Sequence, residues 1–207
     1  DAAVAAEGLD MPSAIAVLPD GALVVANTAA NAIVRVDPAT GAIAAITGPE
    51  AGLDAPVGVA AAPDGTVYVA DTYNDRVVAV APDGSLRTVV AAEAGLDTPC
   101  GVALLADGSV VVADTGNALV RRVAPGGALE TLAEGFEEPT GLAVAPDGAL
   151  FVADAGDASV ALCEPGSGWR ARRFAGSGWL GRADGRLDAA RFGRVTGVAV
   201  APDGSLV

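Results

Sequence analysis

An all-β fold of repeated four-stranded antiparallel units is predicted by three observations. The segment PDGALVVAN at 19–27 returns as PDGTVYVAD at 63–71, ADGSVVVAD at 106–114 and PDGALFVAD at 146–154, at intervals of 44, 43 and 40 residues. Within each repeat the apolar residues alternate by two, the period of a strand with two distinct faces, and not by the period of a helix. The 207 residues are 52% hydrophobic but only 4% aromatic, so the core is built from Val, Leu, Ile and Ala, side chains that suit closely stacked sheets. A meander with two apolar faces cannot stand alone, and units of this length stack on copies of themselves as the blades of a β-propeller.

The second repeat shows the elements in order. VGVAAA (57–62) alternates as a first strand, and Pro63-Asp64-Gly65 closes a tight turn through a preset proline φ and a positive-φ glycine. TVYVAD is the second strand, TYND a polar loop, RVVAVA the third strand, Pro82-Asp83-Gly84 a second turn and SLRTVVA the fourth strand. The same reading places complete blades at 8–50, 51–93, 94–134 and 135–175, all within one domain, 1–207. Residues 1–7, DAAVAAE, align with AAITGPE and RTVVAAE as the last strand of a preceding blade, and 193–207 open a further one. Four complete blades with partial blades at both ends are therefore expected, as a fragment of a larger propeller whose open sheet faces are a liability.

The recurring pattern Pro-x-Gly-Val-Ala, Asp-Gly, Val-Ala-Asp and a following Asn resembles the NHL repeat. The second copy carries it through Pro56, Gly58, Val59, Ala60, Asp64, Gly65, Val69, Ala70, Asp71, Asn74 and Arg76, and the third through Pro99, Gly101, Asp107, Gly108, Asp114 and Asn117. In the fourth, Pro139, Gly141, Asp147, Gly148 and Asp154 fit while Asp157 replaces Asn. The first has Ala14 for Gly and Asn27 for Asp, with one extra residue before Asn31. Residues 174–204 resemble the long linker of some family members, with Val195 where Pro is usual. The resemblance implies a propeller, commonly of six blades, that acts as a binding scaffold.

Charge narrows the function. The net charge is −14, every basic residue is Arg, and there is no Lys, His or Gln. An acidic surface repels phosphate backbones, so nucleic acid is an unfavoured partner. Without His, no Ser-His-Asp or Cys-His arrangement exists in these residues, and without Lys there is no Schiff-base chemistry. Residues 166–207 differ, with 3 acids and 7 Arg: Arg170, Arg172, Arg173, Arg182, Arg186, Arg191 and Arg194. These are read as complementing the acidic remainder of the ring. Cys100 and Cys163 lack the spacing of a zinc or redox site and read as small buried hydrophobes. No apolar run is long enough to span a bilayer. A soluble chain is expected, with an extracytoplasmic compartment favoured.

The candidate binding residues lie at the loops that lead into each repeat. An acid stands two residues before the opening proline at Asp10, Asp54 and Asp97, with Glu137 in the fourth repeat. These carboxylates are expected either to gather at a channel mouth, where they could hold a cationic ligand or calcium, or to cap their own turns. The position between Pro and Gly varies as Ser13, Val57, Cys100, Thr140 and Thr196, as expected of a surface that discriminates ligands. Tyr73, Trp169 and Trp179 are candidates for aromatic contact area. Asp71, Asp114, Asp154, Asn74 and Asn117 recur in the repeat and are read as structural, bonding backbone amides of the following loop. A non-catalytic scaffold for a protein, peptide or glycan is the expected function. A metal-dependent lactonase-like propeller and an RNA-binding domain are the alternatives.

Overall fold

The computed structural model describes residues 8–207, so the strand expected over residues 1–7 lies outside the described residues. The chain forms two compact units, 1–98 and 99–207. In the first unit, blade 1 comprises β1 (Pro12–Val17), β2 (Leu23–Asn27), β3 (Ala32–Val36) and β4 (Ile43–Thr47). Blade 2 comprises β5 (Pro56–Ala61), β6 (Val67–Asp71), β7 (Arg76–Val80) and β8 (Leu86–Val90). In the second unit, blade 3 holds β9 (Pro99–Leu104), β10 (Val110–Asp114), β11 (Leu119–Val123) and β12 (Leu129–Ala133). Blade 4 holds β13 (Pro139–Val144), β14 (Leu150–Asp154), β15 (Ser159–Cys163) and β16 (Ala171–Ala175). Each blade is an antiparallel meander with its strands in sequence order, and the fold class is that of the β-propeller.

Burial follows strand position. The middle strands of blade 2 are apolar on both faces, in β6 (Val67, Val69, Ala70) and β7 (Val77, Val78, Ala79, Val80), while β4, β8, β12 and β16 are only partly buried and β11 carries Arg121 and Arg122. In the first unit Leu18, Val24 and Ile33 of blade 1 pack with Leu53, Val67, Val69 and Val78 of blade 2 in one cluster. The second unit repeats the arrangement, with Val111, Val120 and Phe136 against Leu150, Val152 and Cys163. On the other face of blade 4, Phe151 and Leu162 are covered by Phe192, Val195, Val198, Val200 and Leu206. The expected partial blade is thereby reduced to a small hairpin with a single bridge, Val200 to Leu206. Among the described residues no helix is long and apolar enough to cross a membrane.

Turn chemistry matches the sequence closely. In the first turn of blade 2, Ala62 N–H donates to the Thr66 carbonyl at 2.8 Å and Gly65 N–H to the Ala62 carbonyl at 2.9 Å, with Gly65 at φ +86°. The Asp64 carboxylate accepts the Thr66 N–H at 2.9 Å. Asp20, Asp83, Asp107, Asp147 and Asp203 do the same for Ala22, Ser85, Ser109, Ala149 and Ser205.

The loop between the second and third strands corrects the alignment of the first repeat. A short 3-10 turn ends in a left-handed residue at Asn31 (φ 51°), Asp75 (48°) and Ala118 (56°), and the plain turn of blade 4 ends in the same way at Ala158 (48°). Asn31 is thus the counterpart of Asp75, and Ala30 stands where Asn74 does. No residue is inserted.

Inner strands come very close. A Cβ on Gly101 would overlap the Thr140 carbonyl oxygen, and one on Gly141 would lie 2.8 Å from Gly197 Cα. Backbone cannot give way as a side chain tip can, so these glycines set the spacing of neighbouring strands.

Two predictions follow from the turns and this approach. Gly101→Ala should lower stability in urea by about 2 kcal/mol or more, whereas Gly126→Ala, which has open space around it, should be near neutral. Acid titration followed by carboxyl NMR should place Asp20, Asp64, Asp83, Asp107 and Asp203 below the ordinary value of 3.8. Backbone amides hold Asp64 and Asp107 down, Ser85 and Ser205 hold Asp83 and Asp203, and Arg35 holds Asp20. Because their folded pKa values are depressed, their stabilisation is present above the unfolded value and is lost as pH falls through the folded one.

Candidate functional site

In blades 1, 2 and 4 the loop that leads into the inner strand is bonded to a buried acceptor at the end of the second strand. In blade 2 the Asp71 side chain is fully buried. Its Oδ1 accepts the Asp54 N–H at 2.7 Å, while Oδ2 accepts Asn74 Nδ2 at 2.9 Å and Arg76 Nε at 2.6 Å. Asn74 and Arg76 also donate to the Gly52 carbonyl, at 3.0 and 2.9 Å. Blade 1 performs the same closure with an amide side chain, Asn27 Oδ1 accepting the Asp10 N–H at 2.6 Å. In blade 4, Asp154 accepts the N–H groups of both Glu137 and Glu138, at 3.0 and 2.8 Å. Asn117 Nδ2 donates to both oxygens of Asp114, and Arg121 lies 3.4 Å from one of them.

Asp71, Asp114, Asp154, Asn74 and Asn117, expected to bond amides of the following loop, make these contacts in another direction. The amides bonded by Asn27, Asp71 and Asp154 belong chiefly to the loop some 17 residues earlier, because the second strand runs antiparallel and its end faces the opening proline, as in Pro56 opposite Asp71. Asp157 N–H to Asp154, at 3.5 Å, follows the expected direction.

The four acids two residues upstream are exposed. The bonds to the clamp at Asp10, Asp54 and Glu137 come from their backbone N–H groups. Among the described residues, no group of three or more His, Cys, Asp or Glu side chains is placed to hold a metal ion.

After each opening proline the ladder slips, with bulges between Pro12 and Ala14, Pro56 and Val59, and Pro139 and Gly141. A bulge re-aims the side chain it carries. Ser13 Oγ accordingly donates to the Val57 carbonyl at 2.8 Å, and Thr140 Oγ1 to the Val195 carbonyl at 3.2 Å. Cys100 sits in this position half-buried, and burial pushes its thiol pKa up against the opposing effect of a hydrogen bond with Thr115. Buried Cys163 is pushed up to about 11, an inert thiol at neutral pH.

Several structural bonds were not singled out from sequence. Thr28 and Thr115 donate to the carbonyls of the next opening prolines, Pro56 and Pro139, at 2.8 and 2.7 Å. Asn31 and Asp75 accept the amides of Ala55 and Thr98, at 2.8 and 2.7 Å. The recurrence of Thr immediately after Val-Ala-Asn/Asp was the available signal.

Of the aromatic candidates, Tyr73 and Trp179 are exposed, at 68% and 72%. Trp169, also a candidate for contact area, is half-buried and packs on the core of the second unit. Within the Arg-rich segment, Arg172 pairs with Glu164, Arg173 with Asp157 and Arg194 with Glu138. Each of these pairs is formed within the second unit.

The sequence profile of the virginiamycin B lyase family matches residues 4–162. It places the chain in a β-propeller family without singling out NHL repeats. No curated protein matches the sequence. A structure of a catalytically inactive His-to-Ala virginiamycin B lyase from Staphylococcus aureus with quinupristin is similar at 17% identity and TM-score 0.68, over 97% of this chain and 70% of that one. An auxiliary nutrient binding protein from Bacteroides thetaiotaomicron is similar at 14% identity and TM-score 0.79, over 97% and 56%. A PQQ-bound aldose sugar dehydrogenase from Streptomyces coelicolor is similar at 22% identity and TM-score 0.69, over 99% and 75%. At such identities the likeness establishes the fold.

Removing the blade 2 acceptor tests the clamp. Asp71→Ala leaves the Arg76 charge and the Asp54 amide without their partner, and should cost about 3 kcal/mol in chemical unfolding. Asp71→Asn keeps an acceptor, as Asn27 does in blade 1, and should cost roughly half as much.

Proposed function

This chain belongs to the virginiamycin B lyase family, and from that premise we propose that it acts as a binding scaffold for a protein, peptide or glycan, without itself supplying the proton-transfer group. One observation carries the reading: the carboxylates that end the second strands are enclosed in blade clamps, whereas each leading loop keeps an exposed acid, followed after the proline by a position that differs from blade to blade. In the first unit the exposed groups are Asp10, Ser13, Asp54, Asp97 and Tyr73. In the second, Glu137 is exposed, with half-buried Cys100 and Thr140 nearby in the fold of the same loops. Exposed carboxylates beside an aromatic ring suit a ligand that offers N–H or O–H donors and an apolar face. A larger, six-bladed ring in the intact protein is part of the same proposal.

The family match itself favours a second reading, a lyase. The Staphylococcus aureus relative is catalytically inactive as a His-to-Ala variant, and the 207 residues here contain no His. Under that reading the general base is another residue type or lies outside these residues.

Quinupristin, bound by that relative, is the first probe. Calorimetric titration with mass spectrometry of the recovered ligand should show saturable binding with the molecule chemically unchanged. Tyr73→Ala should weaken binding by about five- to thirtyfold with an unchanged melting temperature. A chemically altered ligand would instead support the lyase reading, and silence towards quinupristin and towards peptide and glycan arrays would remove the scaffold reading.

A further inference from the structure

A second candidate site lies at the opposite ends of the strands, away from the loops considered above. In the first unit the turns of blades 1 and 2 border an open cavity of about 310 Å³, at the small end of the range for ligand pockets. Leu18, Ile46 and Val67 give it an aliphatic wall, and Pro19, Pro63 and Pro82 add rigid apolar rings. One flat polar edge completes it: Arg35 meets Asp20 in a two-point pair, Nη1 to Oδ1 at 3.2 Å and Nη2 to Oδ2 at 2.7 Å.

The second unit shows what such a gap holds when it is filled. Counting from the strand registers, Leu132 occupies the place of Ile46, and Leu105 that of Leu18. Trp169 stands two residues before Ala171 as Gly84 stands two before Leu86, at the same step of the turn into the fourth strand. The Trp169 side chain packs against the core of its unit together with Leu105 and Leu132. It does so from a left-handed backbone, φ 63°, which a bulky residue adopts only where its surroundings hold it. In the first unit Gly84 supplies no side chain there, and a Cβ would stand 3.0 Å from the Ile46 carbonyl oxygen.

We propose that this cavity binds a small aromatic molecule of about indole size, whose ring takes the place that Trp169 fills in the second unit. The ring lies between the prolines and Ile46, where apolar contact on both faces replaces water. A polar substituent on the ring meets the edge at Arg35 and Asp20, which retain unused N–H donors and carboxylate lone pairs, and the guanidinium favours an adjacent aromatic face.

The test uses the full chain and indole itself. Methyl NMR titration should move the Leu18, Ile46 and Val67 resonances saturably, with an affinity on the order of millimolar for so small a ligand. Ile46→Trp fills the cavity from within and should weaken the response at Leu18 and Val67 by at least about tenfold while the circular dichroism spectrum stays the same. Should that variant misfold, Ala81→Phe narrows the cavity from blade 2 and is expected to give the same loss. Shifts confined to the surroundings of Tyr73 or Trp179, an unchanged response in the filled variant, or no saturable shift would overturn the proposal.

Discussion

The buried acceptor at the end of the second strand is the interaction on which the rest of each blade depends. In blade 2 the Asp71 carboxylate is wholly removed from water, and a charge so placed is tolerable only if donors surround it. It finds them in a backbone amide from the leading loop and in Asn74 and Arg76. That bond fixes where the chain enters the inner strand, hence where Pro56 stands, where the ladder slips, and which side chain the slip turns outward. Asn27 achieves the same closure without charge. An acceptor in this place is the requirement, and ionisation is one way to meet it.

Stacking imposes the second constraint. Middle strands are mostly apolar and inner strands must be thin, so Val and Ala predominate in the former while Gly101 and Gly141 sit where backbones nearly touch. Within these limits the two units differ in how they fill volume. Phe136, Leu150 and Trp169 enlarge the core of the second unit where Leu53, Val67 and Gly84 stand in the first. Dense packing makes such differences consequential, because a missing side chain leaves space that its neighbours cannot fully close. The cavity beside Ile46 is the outcome in the first unit.

Charge is arranged on a different principle. The Arg residues late in the chain meet Glu138, Asp157 and Glu164, while the loops before the inner strands keep exposed acids. Half-exposed ion pairs add little stability individually. Their effect is to neutralise the later segment locally and leave an acidic character to the loop ends, which bears on what those loops can recognise.

The strands, the turns and the repeat are legible in the amino-acid sequence because alternation by two and Pro-Asp-Gly chemistry are local. A residue's strand face and a turn's φ values are set within a few positions, so blades could be delimited without coordinates. Asp71, Asp114 and Asp154 stand out by their recurrence, but their partners do not. The amide that meets Asp71 comes from 17 residues upstream, and nothing local distinguishes that loop from the one that follows. The pairing of Asn31 with Asp75 was hidden for a related reason, since both Asn31 and Asn74 fit the letter of the repeat and only the left-handed end of the 3-10 turn shows which positions correspond. The burial of Trp169 and the gap left by Gly84 depend on residues from neighbouring blades. Local chemistry determined the elements and their closure, and tertiary contact alone decided which donors each carboxylate meets and which spaces remain unfilled.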